Sequence, residues 1–413
     1  MPWATLGDLP TPIDELSIAG APLWVKREGD SSARYGGNKV RTLEAWLGHA
    51  RASGARRIWA IGAYGSNHVV ATVLHAHAIG LESGALVFPQ PASEWAVENA
   101  GALIASGVPI VRLRNVVEVP FAGVAIAAQA RLARLIRSRL GEDRASTSRY
   151  DEEPAPPAHD IDASPLTQVA GDHLVTPPRR TIAELARDAM TGAPASRALG
   201  MLVGRELARD SIVMPPGGAT PIGTLGALSA VFELAEQIAD GVAPPPRRIV
   251  LPVGSTCTTA GLLSGFAIAQ AMGAWRWPVP IVHAVRVTPW PVTSRIVIVR
   301  LAEATLARIA LLGGPRVQLG APPRLIVDPS ELGGGYGRVT DHGVAAMREL
   351  GAITHAPRLD GVYSAKAAAA LLRLHGRGIG PLLFWATKAT TVMAAPGVQA
   401  LRAAPRPLVQ WLR

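Results

Sequence analysis

Apolar positions along the chain alternate between helical spacing and short continuous runs. Residues 38–52 carry Val40, Leu43 and Leu47 on one face and predict a helix. The spacing then predicts a strand over 57–61, a helix over 67–79 after a Gly-rich turn, a strand over 84–88, a helix over 93–106 and a strand over 108–113. A long Ala/Arg helix is expected over 121–140 and a further helix over 181–209. Strands follow at 211–214, 248–253, 281–287 and 381–386, and helices at 219–240, 258–272, 341–351 and 364–375. Residues 293–312 read as helical or mixed, because Ile296, Val297 and Ile298 suit either state. This alternation predicts an α/β fold with mostly parallel sheet. Residues 141–180 break it. Pro154, Pro156, Pro157, Pro165, Pro177 and Pro178 stand there among Asp, Glu and Ser, as in a partly disordered linker or surface excursion.

The 413 residues suffice for two domains or one large α/β unit. Aromatic content is only 5%, so the core must be aliphatic. No apolar run reaches the length of a membrane span, and the first residues lack a basic stretch leading into an apolar one. Cys257 is the only cysteine, which excludes an intrachain disulfide and a Cys-based zinc cluster. His75 and His77 fall on different sides of a helix and make poor metal chelators. A cytoplasmic protein without a metal is expected. The formal charge of +10 is carried by scattered arginines with no dense basic block, which argues against nucleic-acid binding. Asp14, Glu15, Glu28 and Asp30 read as solvated or capping residues.

Lysine is scarce. Of 41 basic residues only Lys26, Lys39, Lys366 and Lys388 are lysines. A lysine kept in an Arg-rich background points to a need for an amine, since guanidinium stays protonated and forms no Schiff base. Lys39 follows Gly36-Gly37-Asn38; taken alone it reads equally well as a solvated lysine at a helix start. Small polar residues also fill the turns at 62–68, 215–220, 254–261 and 333–337. At 254–261 a buried strand runs through Gly254, Ser255, Thr256, Cys257 and Thr258 directly into a helix, whose unpaired N–H groups favour an anion. Neither a Walker A lysine nor a GxGxxG pattern is present. The alternative is an ordinary capped helix. One phosphate cup plus one amine suggests pyridoxal 5'-phosphate (PLP).

These segments resemble the tryptophan-synthase-β-like (fold type II) PLP enzymes, and among them the D-cysteine desulfhydrase and 1-aminocyclopropane-1-carboxylate (ACC) deaminase group. The resemblance is carried, in order, by Leu9-Pro10-Thr11-Pro12, residues 36–44, Ser66-Asn67-His68, Pro216-Gly217-Gly218, residues 254–261, Gly335-Tyr336-Gly337 and residues 362–367. It implies two open, mostly parallel α/β sheets with PLP in the cleft between a large and a small domain. Residues 1–50 plus 205–413 would form the large domain, 51–140 the small one, and 141–204 an insertion and linker helix. It further implies that Lys39 holds PLP as a Schiff base and moves the α-proton, and that Asn67 bonds the cofactor's phenolic oxygen. Ser66, Asn67 and His68 would hold the carboxylate of a small amino-acid substrate, with Ser66, Tyr336 and Tyr363 taking part in catalysis. Gly254, Ser255, Thr256, Cys257 and Thr258 would hold the phosphate, with Ser364 and Thr387 near the ring nitrogen. A homodimer is expected.

Ser364 stands where ACC deaminases carry a glutamate, which favours α,β-elimination to a 2-keto acid and ammonia over cyclopropane opening. ACC deamination and racemisation are the alternatives within the group, and a non-catalytic PLP-fold binding protein is the alternative outside it. Two segments depart from the pattern. Thr256-Cys257 replaces paired glycines, with side chains expected to narrow the cup, and Ala386-Thr387-Lys388-Ala389 replaces His-Thr-Gly-Gly, bringing a new cation close to the site.

Overall fold

The computed structural model describes residues 2–119 and 210–413. The helices expected over 121–140 and 181–209, and the Pro-rich stretch between them, lie outside the described residues.

Two sheets organise the chain. In the six-stranded sheet, β1 (Ile13–Ile18) and β2 (Ala21–Lys26) form an antiparallel hairpin. It continues in parallel through β10 (Leu382–Trp385), β7 (Arg248–Val253), β8 (Ile281–Arg286) and β9 (Leu325–Asp328). The four-stranded sheet is parallel throughout, in the order β5 (Ile110–Arg112), β4 (Glu82–Phe88), β3 (Arg57–Ala63) and β6 (Ser211–Met214). Ile249, Val250 and Leu251 at the centre of β7 are fully buried, as a strand covered on both faces requires. Strand β6, although it lies within residues 205–413, pairs with β3 and so completes the smaller sheet.

Helices α1 (Lys39–Ala52), α2 (Asn67–Ala78), α3 (Glu94–Ala105), α4 (Leu225–Ala239), α5 (Cys257–Ala271), α6 (Arg295–Leu311), α7 (Asp341–Gly351) and α8 (Ser364–His375) cover the sheets. Short helices α9 (Val398–Ala403) and α10 (Arg406–Trp411) follow. Helix α4 starts later than the pattern suggests. Gly217 and Gly218 take left-handed φ values and Pro221 follows, so the chain makes a 3-10 turn and a loop first. The ambiguous stretch is helical. Ser294 caps it by accepting from Val297 N, and Ile298, Ala302, Thr305 and Leu306 form one buried stripe.

Glu28 is neither solvated nor an exposed cap. Its carboxylate is fully buried and receives Arg41 Nε at 2.8 Å, while Arg41 also reaches Glu233 at 2.8 Å and Lys26 pairs with Glu233. Burial lowers the Arg41 pKa, but Glu28 and Glu233 outweigh it and hold the guanidinium above its ordinary value. This closed network ties the start of α1, two residues beyond Lys39, to the end of β2 and to α4. Removing one partner would strand a buried charge at a cost of about 3–5 kcal/mol. Asp14 and Asp30 remain partly exposed beside Arg27.

Candidate active site

In both sheets the carboxyl ends of parallel strands open onto turns that carry small polar residues, the place where α/β sheets bind ligands. The Lys39 amine joins one turn from each. It donates to Ser255 Oγ at 3.2 Å, after β7, and to the Gly217 carbonyl at 3.4 Å, after β6. No carboxylate lies within 4.0 Å of it among the described residues. Burial therefore lowers its pKa below the ordinary lysine value, with a small opposing contribution from Cys257. It is not a solvated lysine at a helix start.

The turn after β7 has the makings of an anion cup. At the start of α5 the N–H groups of Cys257, Thr258 and Thr259 meet no acceptor among the described residues. Thr258 Oγ1 accepts from Asn38 Nδ2 at 2.8 Å, which leaves its hydrogen free to donate. Thr256 adopts φ +68°, the left-handed conformation a glycine would take at no cost. The Cys257 sulfur is engaged elsewhere, 3.5 Å from the Gly218 carbonyl and 3.8 Å from Thr42 Oγ1, and burial raises its pKa. Gly254 has to be glycine, since a Cβ there would sit 2.9 Å from a ring carbon of Tyr363.

Across the site, Ser66 caps α2 by accepting from Val69 N at 3.4 Å, and the N–H groups of Asn67 and His68 are left without acceptors among the described residues. Asn67 Oδ1 receives Asn99 Nδ2 at 3.0 Å and Lys388 Nζ at 3.2 Å, with the Tyr35 hydroxyl at 2.8 Å. That arrangement turns the Asn67 amino group the other way, and among the described residues it meets no acceptor. His68 is buried with both ring nitrogens unpartnered; the Pro215 carbonyl approaches without making a hydrogen bond. Burial, then the neighbouring Lys39 charge, push its pKa well below the ordinary histidine value, so its ring is neutral.

Tyr336 and Tyr363 meet hydroxyl to hydroxyl at 2.8 Å, their rings edge to face. Burial raises both pKa values, that of Tyr363 further because Tyr336 adjoins it, which keeps the pair protonated and able to donate. Ser364 Oγ donates to Asp360 Oδ2 at 2.9 Å and accepts from Asp360 N at 2.6 Å. Asp360 Oδ1 also receives Val362 N and Tyr363 N, at 3.0 and 2.7 Å. Thr387 supplies its carbonyl to Asn38 N at 3.4 Å, beside Gly37, whose φ of +98° permits the approach. Sequence reasoning missed Asp360, Tyr35 and Asn99. Asp360 left a signal, an acid four residues before Ser364 at a helix start; Asn99, in the middle of α3, left none.

No family model matches the chain. Among curated proteins it is 31% identical over 386 residues to nocardicin C-9' epimerase of Nocardia uniformis subsp. tsuyamanensis, covering 92% of this chain and 89% of the relative. It is 26% identical over 386 residues to D-cysteine desulfhydrase of Klebsiella pneumoniae subsp. pneumoniae, covering 91% and 90%. A putative ACC deaminase of Pyrococcus horikoshii is 27% identical over 379 residues, covering 92% and 86%. The chain belongs to the fold type II PLP-dependent enzymes, in the group of the D-cysteine desulfhydrases and ACC deaminases. Members of this group are PLP-dependent lyases and deaminases. A solved ACC deaminase homologue shares the group's fold with this chain, at a TM-score of 0.60 and 24% identity over 98% of this chain and 97% of its own.

Proposed function

We propose that this chain is a PLP-dependent lyase that removes the α-proton of a small amino acid and expels its β-substituent, giving a 2-keto acid and ammonia. The observation that carries this reading is the Lys39 amine, with no carboxylate within 4.0 Å among the described residues and set between turns from both sheets. The donor set fits PLP. Backbone N–H groups of residues 257–259 and the hydroxyls of Ser255 and Thr258 suit its phosphate, and the free Asn67 amino group suits its phenolic oxygen; the resemblance puts Ser364 and Thr387 at the ring nitrogen, where the Ser364 oxygen can only accept, since its hydrogen goes to Asp360. Gly254 and the left-handed Thr256 give the cup its shape.

PLP, when bound, withdraws electrons from the α-carbon and makes its proton acidic. Lys39, its pKa lowered by burial, is the base that takes this proton. The start of α2, with Ser66, Asn67 and neutral His68, orients the substrate carboxylate by donated N–H groups. The protonated Tyr336–Tyr363 pair has one hydrogen beyond the one between its oxygens, and hands it to the departing β-group, which leaves with the electron pair of its bond to Cβ. We place the six-stranded sheet in a large cofactor-binding domain and the four-stranded sheet in a small one. We further expect a homodimer in the cytoplasm; among the described residues no helix is long and apolar enough to cross a membrane.

A second reading, epimerisation, rests on the 31% identity to a relative named as an epimerase. Both reactions start with the same proton removal. They diverge at the next step, which is either loss of the β-group or return of a proton to the opposite face of the α-carbon. The test is a screen of D- and L-amino acids in deuterated buffer, reading keto acid, ammonia, enantiomer ratio and deuterium at the α-carbon. Keto acid with ammonia supports elimination; inverted, deuterated amino acid without ammonia supports epimerisation. Borohydride reduction and peptide mapping should place the pyridoxyl label on Lys39. A label on Lys26, Lys366 or Lys388 would sink the assignment.

A further inference from the structure

Lys388 occupies a position where the group's pattern has glycine, and it is 3% exposed. A buried ammonium normally lies against a carboxylate or has its three N–H groups bonded. This one has neither. No carboxylate lies within 4.0 Å among the described residues, and its one hydrogen bond there is the 3.2 Å contact to Asn67 Oδ1. The Tyr35 ring is 5.8 Å away, which adds a weak cation–π attraction and no acceptor. Two N–H groups of a buried amine are thus left without partners, beside the residue that opens α2. That helix start has two further unpaired donors, the N–H groups of Asn67 and His68.

We propose that Lys388 supplies the cation of an oxyanion subsite at the start of α2, where it takes an anionic oxygen of the substrate carboxylate or of the cofactor ring beside Asn67. The proposal rests on the PLP reading above and adds to it a charge that the group's pattern does not contain. Three facts converge on it: the burial of Lys388, the lack of a carboxylate partner and the unpaired N–H groups next to it. The local charges agree. Burial lowers the Lys388 pKa and Arg358 adds to that, while Asp360 and Glu98 oppose from beyond hydrogen-bonding range; an oxyanion in contact would hold the amine charged. Orientation of Asn67 does not by itself account for Lys388, because Asn99 Nδ2 already bonds Oδ1 and fixes the amide.

The experiment uses the holoenzyme and apoprotein of the wild type, Lys388→Met and Lys388→Arg. Propionate, a carboxylate with no amine, is titrated into the holoenzyme by calorimetry, and PLP into the apoprotein by visible absorbance. A tenfold or greater loss of propionate affinity in Lys388→Met, with PLP affinity within twofold of wild type, assigns the subsite to the substrate carboxylate. A tenfold loss of PLP affinity with a shifted visible band, and unchanged propionate binding, assigns it to the cofactor ring oxygen. Lys388→Arg should recover at least part of whichever affinity is lost. Unchanged affinities for both ligands in Lys388→Met would overturn the proposal and leave the PLP reading intact; wild-type protein that binds no PLP would overturn both. Thermal midpoints of the apoproteins separate a loss of fold from a loss of binding, and Lys388→Gln, which also removes the charge, carries the test if the methionine variant does not fold.

Discussion

Thr258 links the proposed phosphate cup to the start of α1 beside Lys39, so Thr258→Val tests two parts of the proposed site at once. Valine keeps the shape and removes the oxygen. That oxygen accepts from Asn38 Nδ2 at 2.8 Å and has its own hydrogen left to donate. In the apoprotein the loss falls on Asn38, which is half-buried and can partly rehydrate; the expected cost is about 1 kcal/mol, at the low end for a group left unpaired. In the holoenzyme a hydrogen bond to a charged phosphate is lost as well, about 1.5–3 kcal/mol. The PLP Kd should therefore rise roughly 10- to 150-fold. Thr258→Ser keeps donor and acceptor and should stay within about threefold of wild type, since it loses only a methyl group. Urea unfolding of the apoproteins reads the first effect and PLP titration by visible absorbance the second. A PLP Kd within twofold of wild type in Thr258→Val, in Ser255→Ala and in their double variant would refute the role given to these hydroxyls.

Thr256 is β-branched at φ +68°, which costs about 1–2 kcal/mol, so Thr256→Gly should raise apoprotein stability by about 0.5–1 kcal/mol after the entropy of glycine is charged against it. Urea midpoints check this, and a clear loss of stability would show that the threonine side chain contributes more than its backbone strain. Lys39 has a pKa below that of an unfolded lysine, so the unfolded chain binds the extra proton between the two values. Its burial penalty is present below the folded pKa and relieved as pH rises through it; Lys39→Met should flatten the rise of apoprotein stability with pH in that window, and an unchanged slope would contradict the lowered pKa. On one preparation, kcat/KM for D-cysteine should exceed that for ACC; a tenfold advantage for ACC, about 1.4 kcal/mol of transition-state stabilisation, would mean that Ser364 does not discriminate as argued.

The parallel strands are legible in the sequence because their runs are wholly apolar and turn residues bound them. The hairpin of β1 and β2 is hidden by its charges. Asp14 and Glu15 interrupt the alternation of Ile13, Leu16 and Ile18, and only the Ala19-Gly20 turn marks it. The burial of Glu28 is not legible either, because its partner Arg41 is thirteen residues away and Glu233 much further, and burial of a charge depends on such distant partners. The lysine argument reaches further than Lys39. Lys26 and Lys366 are fully buried and Lys388 nearly so, which means that none of the four is a generic surface charge. Lys26 joins the Glu233 network, and Lys366 holds the Leu332 carbonyl at 2.8 Å and the Gly335 carbonyl at 3.4 Å, just before Tyr336. The same scarcity that singles out Lys39 points to Lys388, which the sequence already sets near the site and which the contact with Asn67 ties to the start of α2.

Asp360 changes the electrostatics expected around Ser364. A neutral serine by itself would leave the ring nitrogen without an anionic partner. The structure puts a buried carboxylate directly behind it, with Ser364 Oγ–H pointing into Asp360. A hydroxyl that donates to a carboxylate becomes a better acceptor at its own oxygen, so part of the charge of Asp360 is transmitted to whatever Ser364 faces. The transmitted part is smaller than a carboxylate in direct contact would give. With Ser364 at the ring nitrogen, as proposed, the site would lie between the strong electron sink that opening a carbon ring demands and the weak one of an isolated hydroxyl. Such a sink suffices where the α-proton is exchanged or where a β-group leaves with its own electron pair. The choice between these two outcomes is then set less by the ring nitrogen than by the Tyr336–Tyr363 pair, since a proton delivered to a departing group commits the substrate to elimination. If that is the division of labour, Tyr363→Phe should lower ammonia release more than it lowers deuterium exchange at the α-carbon. Equal losses in both would place the tyrosines in substrate binding instead.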